Sequence, residues 1–360
     1  MKRVFVSDCE GPLTKNDNAY ELAAQFVHEG DKVFARISKY DDILADVLKK
    51  PGYNAGDTLK LILPFLKASG ITDSQMQKFS AKSLILIAGT KETLQHVRSL
   101  TEAFIVSTSY EHYIKALCEF VHFPFENTYC TRMSLDKYGI TLEEKAKLEA
   151  IAREIATLPM ITIPSEAKTL KDFSEKDQQI IKRLDEIFWE EIPTMKIGKI
   201  FSEVTPVGGE QKAAAVRGIA KKLQLPLSSV MYVGDSITDV KAFQLVREAG
   251  GLTVSFNGNS YAVSNAEVIV QAENNMVTGV LADIFFKFGK AKAMDLVETW
   301  THENLRNSDI NPTLVRHLLS VYHDSLPNVQ TVTPKNMEAL SKQSSEFRKK
   351  VRGEAVGKLG

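Results

Sequence analysis

The chain has 360 residues, of which 44% are hydrophobic and 25% are charged. This balance is typical of a globular protein and excludes a disordered or fibrous chain. Lys and Arg together number 45, as do Asp and Glu, so the formal net charge is zero and no global field draws the protein onto nucleic acid.

Cysteine usage indicates a reducing compartment. The three cysteines, Cys9, Cys118 and Cys130, are too few and too scattered for a disulfide framework, and no CxxC pair suggests a metal site. The first apolar segment is too short for a signal peptide, and no apolar run approaches the ~20 residues that cross a bilayer. We therefore expect a cytoplasmic chain without a membrane span.

The chain opens with a short strand over residues 3–7, which is rich in β-branched and aromatic side chains and leads into Asp8 and Gly11. This pattern is typical of a buried strand that feeds a functional loop. Residues 19–81 then have helical periodicity and predict a small helical module.

Strands and helices alternate in two later stretches of the sequence. The first contains a helix at 89–100, a strand at 103–107, a helix at 110–120 and a strand at 129–134. The second contains a helix at 211–223, a strand at 230–233, a helix at 239–249 and strands at 252–256 and 267–270. Between the two stretches, residues 142–192 predict a second helical insertion interrupted by prolines. The alternation predicts an α/β fold with a doubly wound parallel sheet.

The C-terminal part is predicted to be helical from about residue 281 to its end. Residues 331–360 hold seven Lys or Arg against three Glu. A solvated helical tail is the simplest interpretation of this segment, and a docking site for an acidic surface or RNA is the alternative.

Asp8 and Glu10, two residues apart after the first strand, are the first candidate site residues. A carboxylate can attack phosphorus and form an aspartyl-phosphate, while a second acid protonates the leaving oxygen and later deprotonates water. For this pair alone, a simple acidic turn after a strand is an equally good interpretation.

Two phosphate-binding candidates follow later in the chain. Ser107 ends its strand and is predicted to open a helix through Thr108, so that a hydroxyl and free N–H groups would cradle a phosphate. Such residues are also ordinary helix caps. Lys212 lies at the start of a helix, where its ammonium can balance the charge of a transferring phosphoryl group.

The strongest motif is GDxxxD, which contains Asp235 and Asp239 and directly follows the strand at 230–233. Two carboxylates at this position predict a magnesium site with hard oxygen ligands. Asp235 is the expected direct ligand, and Asp239 is either a further ligand or a support for one.

In this order, DxE, Ser, Lys and GDxxxD, the sequence resembles the haloacid dehalogenase superfamily. The resemblance implies a Rossmann-like core, Mg²⁺ as the cofactor, and phosphatase or phosphotransferase activity on a small phosphorylated metabolite. It also implies individual roles. The catalytic residues would be Asp8 as nucleophile, Glu10 as acid and base, and Lys212; the phosphoryl group would contact Ser107, Thr108 and Lys212; and the metal would be held by Asp8, Glu10 through its backbone carbonyl, Asp235 and Asp239.

The resemblance also implies a division of the chain. Residues 1–18, 86–140 and 200–285 would form the catalytic core, and residues 19–85 a helical cap of the C1 type. Residues 141–199 would be a helical insertion, and residues 286–360 a C-terminal helical extension with a basic tail.

Glu10 departs from the superfamily pattern, since most of its phosphatases carry Asp there, and Pro12 stands in place of the usual Thr. A DxE motif is similar to that of a phosphoserine-phosphatase-like branch, so altered geometry is expected rather than lost activity. The opening residues and GDSITD are similar to an archaeal family named energy-converting hydrogenase A subunit R. That similarity implies a hydrogenase complex as a protein partner.

Two functions stay open for this sequence: a phosphoryl-transfer enzyme, and a scaffold or regulatory subunit of the same fold with weak or no catalysis. Haloacid dehalogenases themselves need no second acid and no metal, so Glu10, Asp235 and Asp239 argue against that reaction. The absence of membrane spans in the sequence excludes a P-type ATPase. A small phosphorylated substrate is expected, and a nucleic acid is not.

Overall fold

The computed structural model describes residues 2–359, and within that range a seven-stranded sheet forms the centre of the molecule. Its order is β3-β2-β1-β4-β5-β6-β7. The strands are β1 (Val4–Ser7), β2 (Ala103–Tyr110), β3 (Thr128–Thr131), β4 (Val230–Gly234), β5 (Leu252–Phe256), β6 (Val268–Gln271) and β7 (Asn328–Thr331).

The helices follow the same chain order. They are α1 (Asn18–Phe26), α2 (Gly30–Asp42), α3 (Thr58–Leu61), α4 (Leu63–Ala68), α5 (Asp73–Ser83), α6 (Thr90–Leu100), α7 (Glu111–Val121), α8 (Leu142–Thr157), α9 (Glu175–Asp185), α10 (Ile200–Glu203), α11 (Gly209–Lys222), α12 (Val240–Glu248), α13 (Ser260–Asn265), α14 (Met276–Phe288), α15 (Lys290–Glu298), α16 (His302–Arg306), α17 (Pro312–Val321), α18 (Met337–Arg352) and α19 (Glu354–Gly357). No helix within residues 2–359 combines the length and apolar character needed to cross a membrane.

The sheet is buried on both faces, which confirms the predicted α/β class with a doubly wound sheet. Successive residues of a strand point to opposite faces. In β1, Val4 and Val6 accordingly pack in one apolar cluster with α11 and α12, while Phe5 packs in another with α6, α7 and α14. Strands β1 to β6 pair in parallel, so their carboxyl ends meet at one edge of the sheet.

The last strand contradicts the prediction that the chain is wholly helical after residue 281. Strand β7 pairs antiparallel with β6 and closes that edge of the sheet. Only Val329 is buried in β7, so the strand carries almost no periodic pattern. Without β7, the outer edge of β6 would have unpaired backbone N–H and C=O groups, and β7 pairs with them. A pattern of side chains along the sequence does not show such backbone pairing.

The two helical segments predicted as separate modules share one hydrophobic core. Phe188, from the second segment, is fully buried, and its ring centroid lies 5.9 Å from that of Tyr40 and 6.2 Å from that of Phe65, both in the first segment. Helix α8 also packs against α2 and α4. The two segments together form a helical domain beside the carboxyl edge of the sheet.

Helix α18 corrects the interpretation of the basic tail as a solvated helix. Ser344 and Arg348, one turn apart, are 0% and 2% exposed, and the Ser344 hydroxyl donates to the Gly258 carbonyl at 2.6 Å. The helix packs on α13 and β6. The predicted solvated helix rested on the number of charged residues. That number does not reveal a buried helix face, because the aliphatic part of an arginine can be buried like an apolar side chain.

Candidate active site

Asp8 and Asp235 come together because β1 and β4 are neighbours and each residue directly follows its strand. The Asp8 amide continues the sheet by donating to the Val233 carbonyl at 2.8 Å. Both side chains are buried, and the Asp8 carboxylate accepts from the Cys9 amide at 2.6 Å. The carboxyl edge of the parallel sheet therefore carries the acids that the sequence singled out.

The turn after Asp8 depends on Gly11. Its φ is +101°, in the left-handed region that glycine adopts without strain. A Cβ at this position would lie 2.1 Å from a carboxylate oxygen of Asp235. The loop can approach Asp235 this closely only because residue 11 has no side chain.

Lys212 enters the site from the first turns of α11 and is fully buried. Its ammonium donates to the Asp8 carboxylate at 2.6 Å and to the Asp239 carboxylate at 2.8 Å. Burial lowers the pKa of Lys212, but the two carboxylates outweigh burial and raise the pKa above its ordinary value. Lys212 therefore stays charged inside the protein.

Burial has the opposite effect on Asp8. It raises the pKa of this carboxyl to about 7, although Lys212 opposes the change. The negative charges of Asp239 and Asp235 act in the same direction as burial. A bound cation would lower the pKa again, because it favours the charged carboxylate.

Asp239 has both carboxylate oxygens engaged by protein donors. One accepts from Lys212 and from the Tyr232 hydroxyl at 2.7 Å, and the other accepts from the amides of Asp235 and Ser236 at 3.0 and 3.1 Å. This arrangement fixes the carboxylate and, through it, the ammonium of Lys212.

Asp8, Asp235 and Asp239 form a carboxylate cluster that could hold a divalent cation. One oxygen from each lies within 4.8 Å of the others, and all three residues are buried. Such hard oxygen ligands suit Mg²⁺. Because Asp239 is saturated with hydrogen bonds, Asp8 and Asp235 are the members with capacity for a metal.

Glu10 lies beside this cluster and lines the same cavity. Its carboxylate accepts from the Asn18 amide at 2.7 Å, at the start of α1. Burial, followed by the nearby charge of Asp17, raises the pKa of Glu10 well above its ordinary value. A raised pKa favours the protonated form, which a general acid needs.

Ser107 and Thr108 also line the cavity, but the predicted helix start at Ser107 is wrong. Strand β2 continues to Tyr110, which pairs with Thr131 of β3, and α7 begins only at Glu111. Pairing with β3 extends the strand, which local propensity did not show. The hydroxyl of Thr108 is buried and has no hydrogen-bond partner in the part of the chain that the structure describes.

Two arginines that sequence reasoning missed complete the site. Arg348 and Arg352 of α18 both donate to the same oxygen of Asp235, the latter at 3.1 Å. Each side chain is 3% exposed. The available signal in the sequence was their spacing of four residues, which places both on one face of a helix but does not show what that face contacts.

The site encloses a cavity of about 90 Å³ with walls from three parts of the chain. The sheet edge contributes the acids described above, and α18 with Leu359 contributes the arginine wall. The helical domain contributes Phe34, Ser38, Asp41, Asp42, Thr58 and Leu59.

Comparison with solved structures agrees with the fold. The chain is similar to a gene product of Archaeoglobus fulgidus, with 25% identity, a TM-score of 0.79, and coverage of 100% of this chain and 99% of that one. Phosphoserine phosphatase is a more distant match. Its apo form has 12% identity, a TM-score of 0.43, and coverage of 81% of this chain and 100% of that one. Its substrate complex has 13% identity, a TM-score of 0.45, and coverage of 76% and 95%.

Comparison with family models identifies the class of protein. The model described as haloacid dehalogenase-like hydrolase matches residues 86–283, more than half of the chain. No curated protein matches the sequence. The matched region includes the strand that carries Ser107, the strand that Asp235 directly follows, and the helix that carries Lys212. The chain belongs to the haloacid dehalogenase-like hydrolase family.

Proposed function

We propose that the chain is a magnesium-dependent phosphatase or phosphotransferase that acts on a small phosphorylated metabolite through an aspartyl-phosphate at Asp8. The observation that carries the proposal is the buried ammonium of Lys212, shared between Asp8 and Asp239. A buried ion pair is poor evidence for a purely stabilising role, because desolvation offsets much of the attraction. The ion pair between Lys212 and Asp8 lies beside a second carboxylate at a cavity. This arrangement fits a nucleophile that the ammonium holds in place.

In the first step, an Asp8 oxygen attacks phosphorus and the bond to the leaving oxygen breaks. Glu10 gives its proton to that oxygen, which its raised pKa favours. The Cys9 amide and Lys212 each bind one oxygen of Asp8 and fix its direction. Such positioning removes much of the entropic cost of the reaction.

In the second step, Glu10 takes a proton from water, and the water oxygen attacks the phosphorus of the aspartyl-phosphate. The bond between phosphorus and the Asp8 oxygen breaks, which restores the Asp8 carboxylate and releases inorganic phosphate. A phosphotransferase would use an acceptor hydroxyl in place of water. Lys212 balances charge on the phosphoryl oxygens, and Asp239 holds Lys212 in position. Ser107 and Thr108 line the same cavity, and their hydroxyls are proposed to bind those oxygens.

Mg²⁺ is proposed as the cofactor, with Asp8 and Asp235 as side-chain ligands, the Glu10 carbonyl as a further ligand, and Asp239 as their support. When bound, it would neutralise charge that develops on the phosphoryl group. The carboxylate cluster supports this proposal because its oxygens lie within 4.8 Å of one another.

A second candidate is a subunit or regulatory scaffold with weak or no catalysis. One observation favours this candidate: two guanidinium groups already form ion pairs with Asp235, the acid that is proposed above as a metal ligand. Association with a hydrogenase complex and a cytoplasmic setting both stay predictions from the sequence.

A panel of small phosphomonoesters, assayed with and without Mg²⁺, separates the two candidates. We expect hydrolysis or transfer that needs Mg²⁺ and falls at least ~10³-fold in Asp8→Asn. Asp295→Asn, at an exposed carboxylate of α15, is the matched control and should retain activity. Failure of pure protein to turn over any phosphoester with Mg²⁺ would favour the scaffold.

A further inference from the structure

The arginine wall of the cavity is the part of the site that phosphoryl transfer, as proposed above, leaves unexplained. Helix α18 is fixed against the core by the Ser344–Gly258 hydrogen bond, and one turn later Arg348 reaches the cavity. Lys212 already serves the nucleophile. The two arginines therefore add positive charge to a different wall of the same cavity.

Arg352 is fully committed to the protein. Its guanidinium donates to the carbonyls of Lys15 and Asn16 and to the Asp235 carboxylate. These bonds tie the end of α18 to the loop after β1. Arg352 is thus held in place whatever else binds in the cavity.

Arg348 is only partly committed. One terminal nitrogen donates to Asp235, and the other reaches the Leu359 carbonyl at 3.4 Å. Its Nε–H is buried and has no hydrogen-bond partner among residues 2–359. Because a buried donor without an acceptor is unfavourable, this Nε–H indicates an acceptor that the described residues do not supply. The charge of the guanidinium favours an anionic acceptor.

Two other residues that line the cavity carry buried polar atoms without partners. The Thr108 hydroxyl and one oxygen of Asp42 also lack a hydrogen-bond partner in the described part of the chain. Both residues line the cavity with Arg348, from the sheet edge and the helical domain respectively. Residues on three walls thus carry orphaned polar atoms, which is typical of a site that a polar ligand completes.

We propose that Arg348 binds a second anionic group of the substrate, apart from the phosphoryl group. The substrate class is then a small phosphomonoester whose far end carries a carboxylate or another phosphate. Both anions present paired oxygens that match the planar fork of a guanidinium. This inference rests on the proposed function for the identity of the phosphoryl end.

Binding of matched ligands tests the inference without any need for turnover. Three probes share one carbon chain: propyl phosphate, the same chain ending in a carboxylate, and the same chain ending in a second phosphate. Calorimetry with full-length Asp8→Asn protein and Mg²⁺ gives the Kd of each. We expect at least one doubly anionic probe to bind about tenfold or more tightly than propyl phosphate, as for a charge-assisted hydrogen bond.

Adding Arg348→Gln should remove that preference, and adding Arg348→Lys, which keeps the charge but not the fork, should leave a part of it. Lys350→Gln is the matched control, because it removes one charge from the exposed side of the same helix. Its preference should stay intact. Thermal unfolding of each variant verifies that the protein is folded.

A parent protein that binds all three probes equally, or a folded Arg348→Gln variant that keeps the preference, would overturn the inference. These results are distinct from failure of the proposed function. That failure would appear as absence of turnover by the unmodified protein, whereas the binding preference is measured on a chain that lacks the nucleophile.

Discussion

The guanidinium of Arg348 donates to the carboxylate of Asp235 from a position 113 residues later in the chain. One partner lies at the end of a central strand, and the other lies in the last long helix. The contact makes the C-terminal helix a wall of the candidate site. It also places a fixed positive charge beside an acid that is proposed to bind Mg²⁺.

Arg352→Gln should strengthen Mg²⁺ binding. Arg352 donates to the same Asp235 oxygen as Arg348 and repels a cation there. Without it, we expect the Kd for Mg²⁺, measured by calorimetry, to fall several-fold. Lys350→Gln, on the outer side of the same helix, should leave the Kd unchanged. Unchanged or weaker Mg²⁺ binding by a folded Arg352→Gln protein would contradict the claim that Arg352 repels a cation at Asp235.

Asp239→Asn should lower kcat with a smaller effect on KM. Asp239 holds Lys212 through one of its oxygens, so the variant loosens the charge that is proposed to act on the phosphoryl group. Loss of such a supporting partner typically costs 10–100-fold, roughly the effect that we expect on kcat.

Tyr232→Phe provides the graded comparison for Asp239. It removes a single hydrogen bond to the same oxygen of Asp239 and leaves the carboxylate in place. We expect a decrease in kcat that is clearly smaller than for Asp239→Asn. Equal kcat values for Asp239→Asn and the parent protein would show that Lys212 needs no such support.

Asp42 should make stability depend on pH. Burial raises its pKa to about 6, with Lys39 opposing, so the native state binds more protons than the unfolded state between about pH 4 and 6. The free energy of unfolding therefore falls as pH rises through this range and stays lowered above it.

Asp42→Asn removes that dependence. By linkage, we expect the variant to gain on the order of 3 kcal/mol relative to the parent between pH 4 and pH 8. Denaturant unfolding at both pH values measures the gain, with Asp295→Asn as an exposed control. A difference between variant and parent that is the same at both pH values would mean that Asp42 does not titrate in this range.

Phe188→Ala tests whether the two helical segments are one domain. Phe188 is fully buried between Tyr40 and Phe65, so truncation should cost roughly 3–5 kcal/mol in the free energy of unfolding. Phe120→Ala, at a side chain that is 60% exposed, should cost less than about 0.5 kcal/mol. Equal effects of the two substitutions in denaturant unfolding would contradict a shared core.

The sheet and its acids could be predicted because their signals are local. Buried β-branched runs mark β1 and β4, and Asp8 and Asp235 directly follow them. Parallel pairing of neighbouring strands then brings those two acids together without further information. The α/β class was confirmed for the same reason.

The arginine wall could not be predicted, because it depends on contacts between distant parts of the chain. Nothing near Arg348 in the sequence specifies that α18 packs on α13 and reaches Asp235. The end of β2 was misplaced for a similar reason, since Tyr110 stays in the strand through its pairing with Thr131. Tertiary pairing overrides local propensity in both places.

Covalent labelling of Asp8 tests the central claim most directly. A phosphomonoester with a radiolabelled phosphoryl group, mixed with protein and Mg²⁺ and quenched in acid within the first turnover, should leave label on the peptide that contains Asp8. The label should disappear in Asp8→Asn and without Mg²⁺. Turnover of the ester with no label at Asp8, or with label at another residue, would contradict the proposed mechanism.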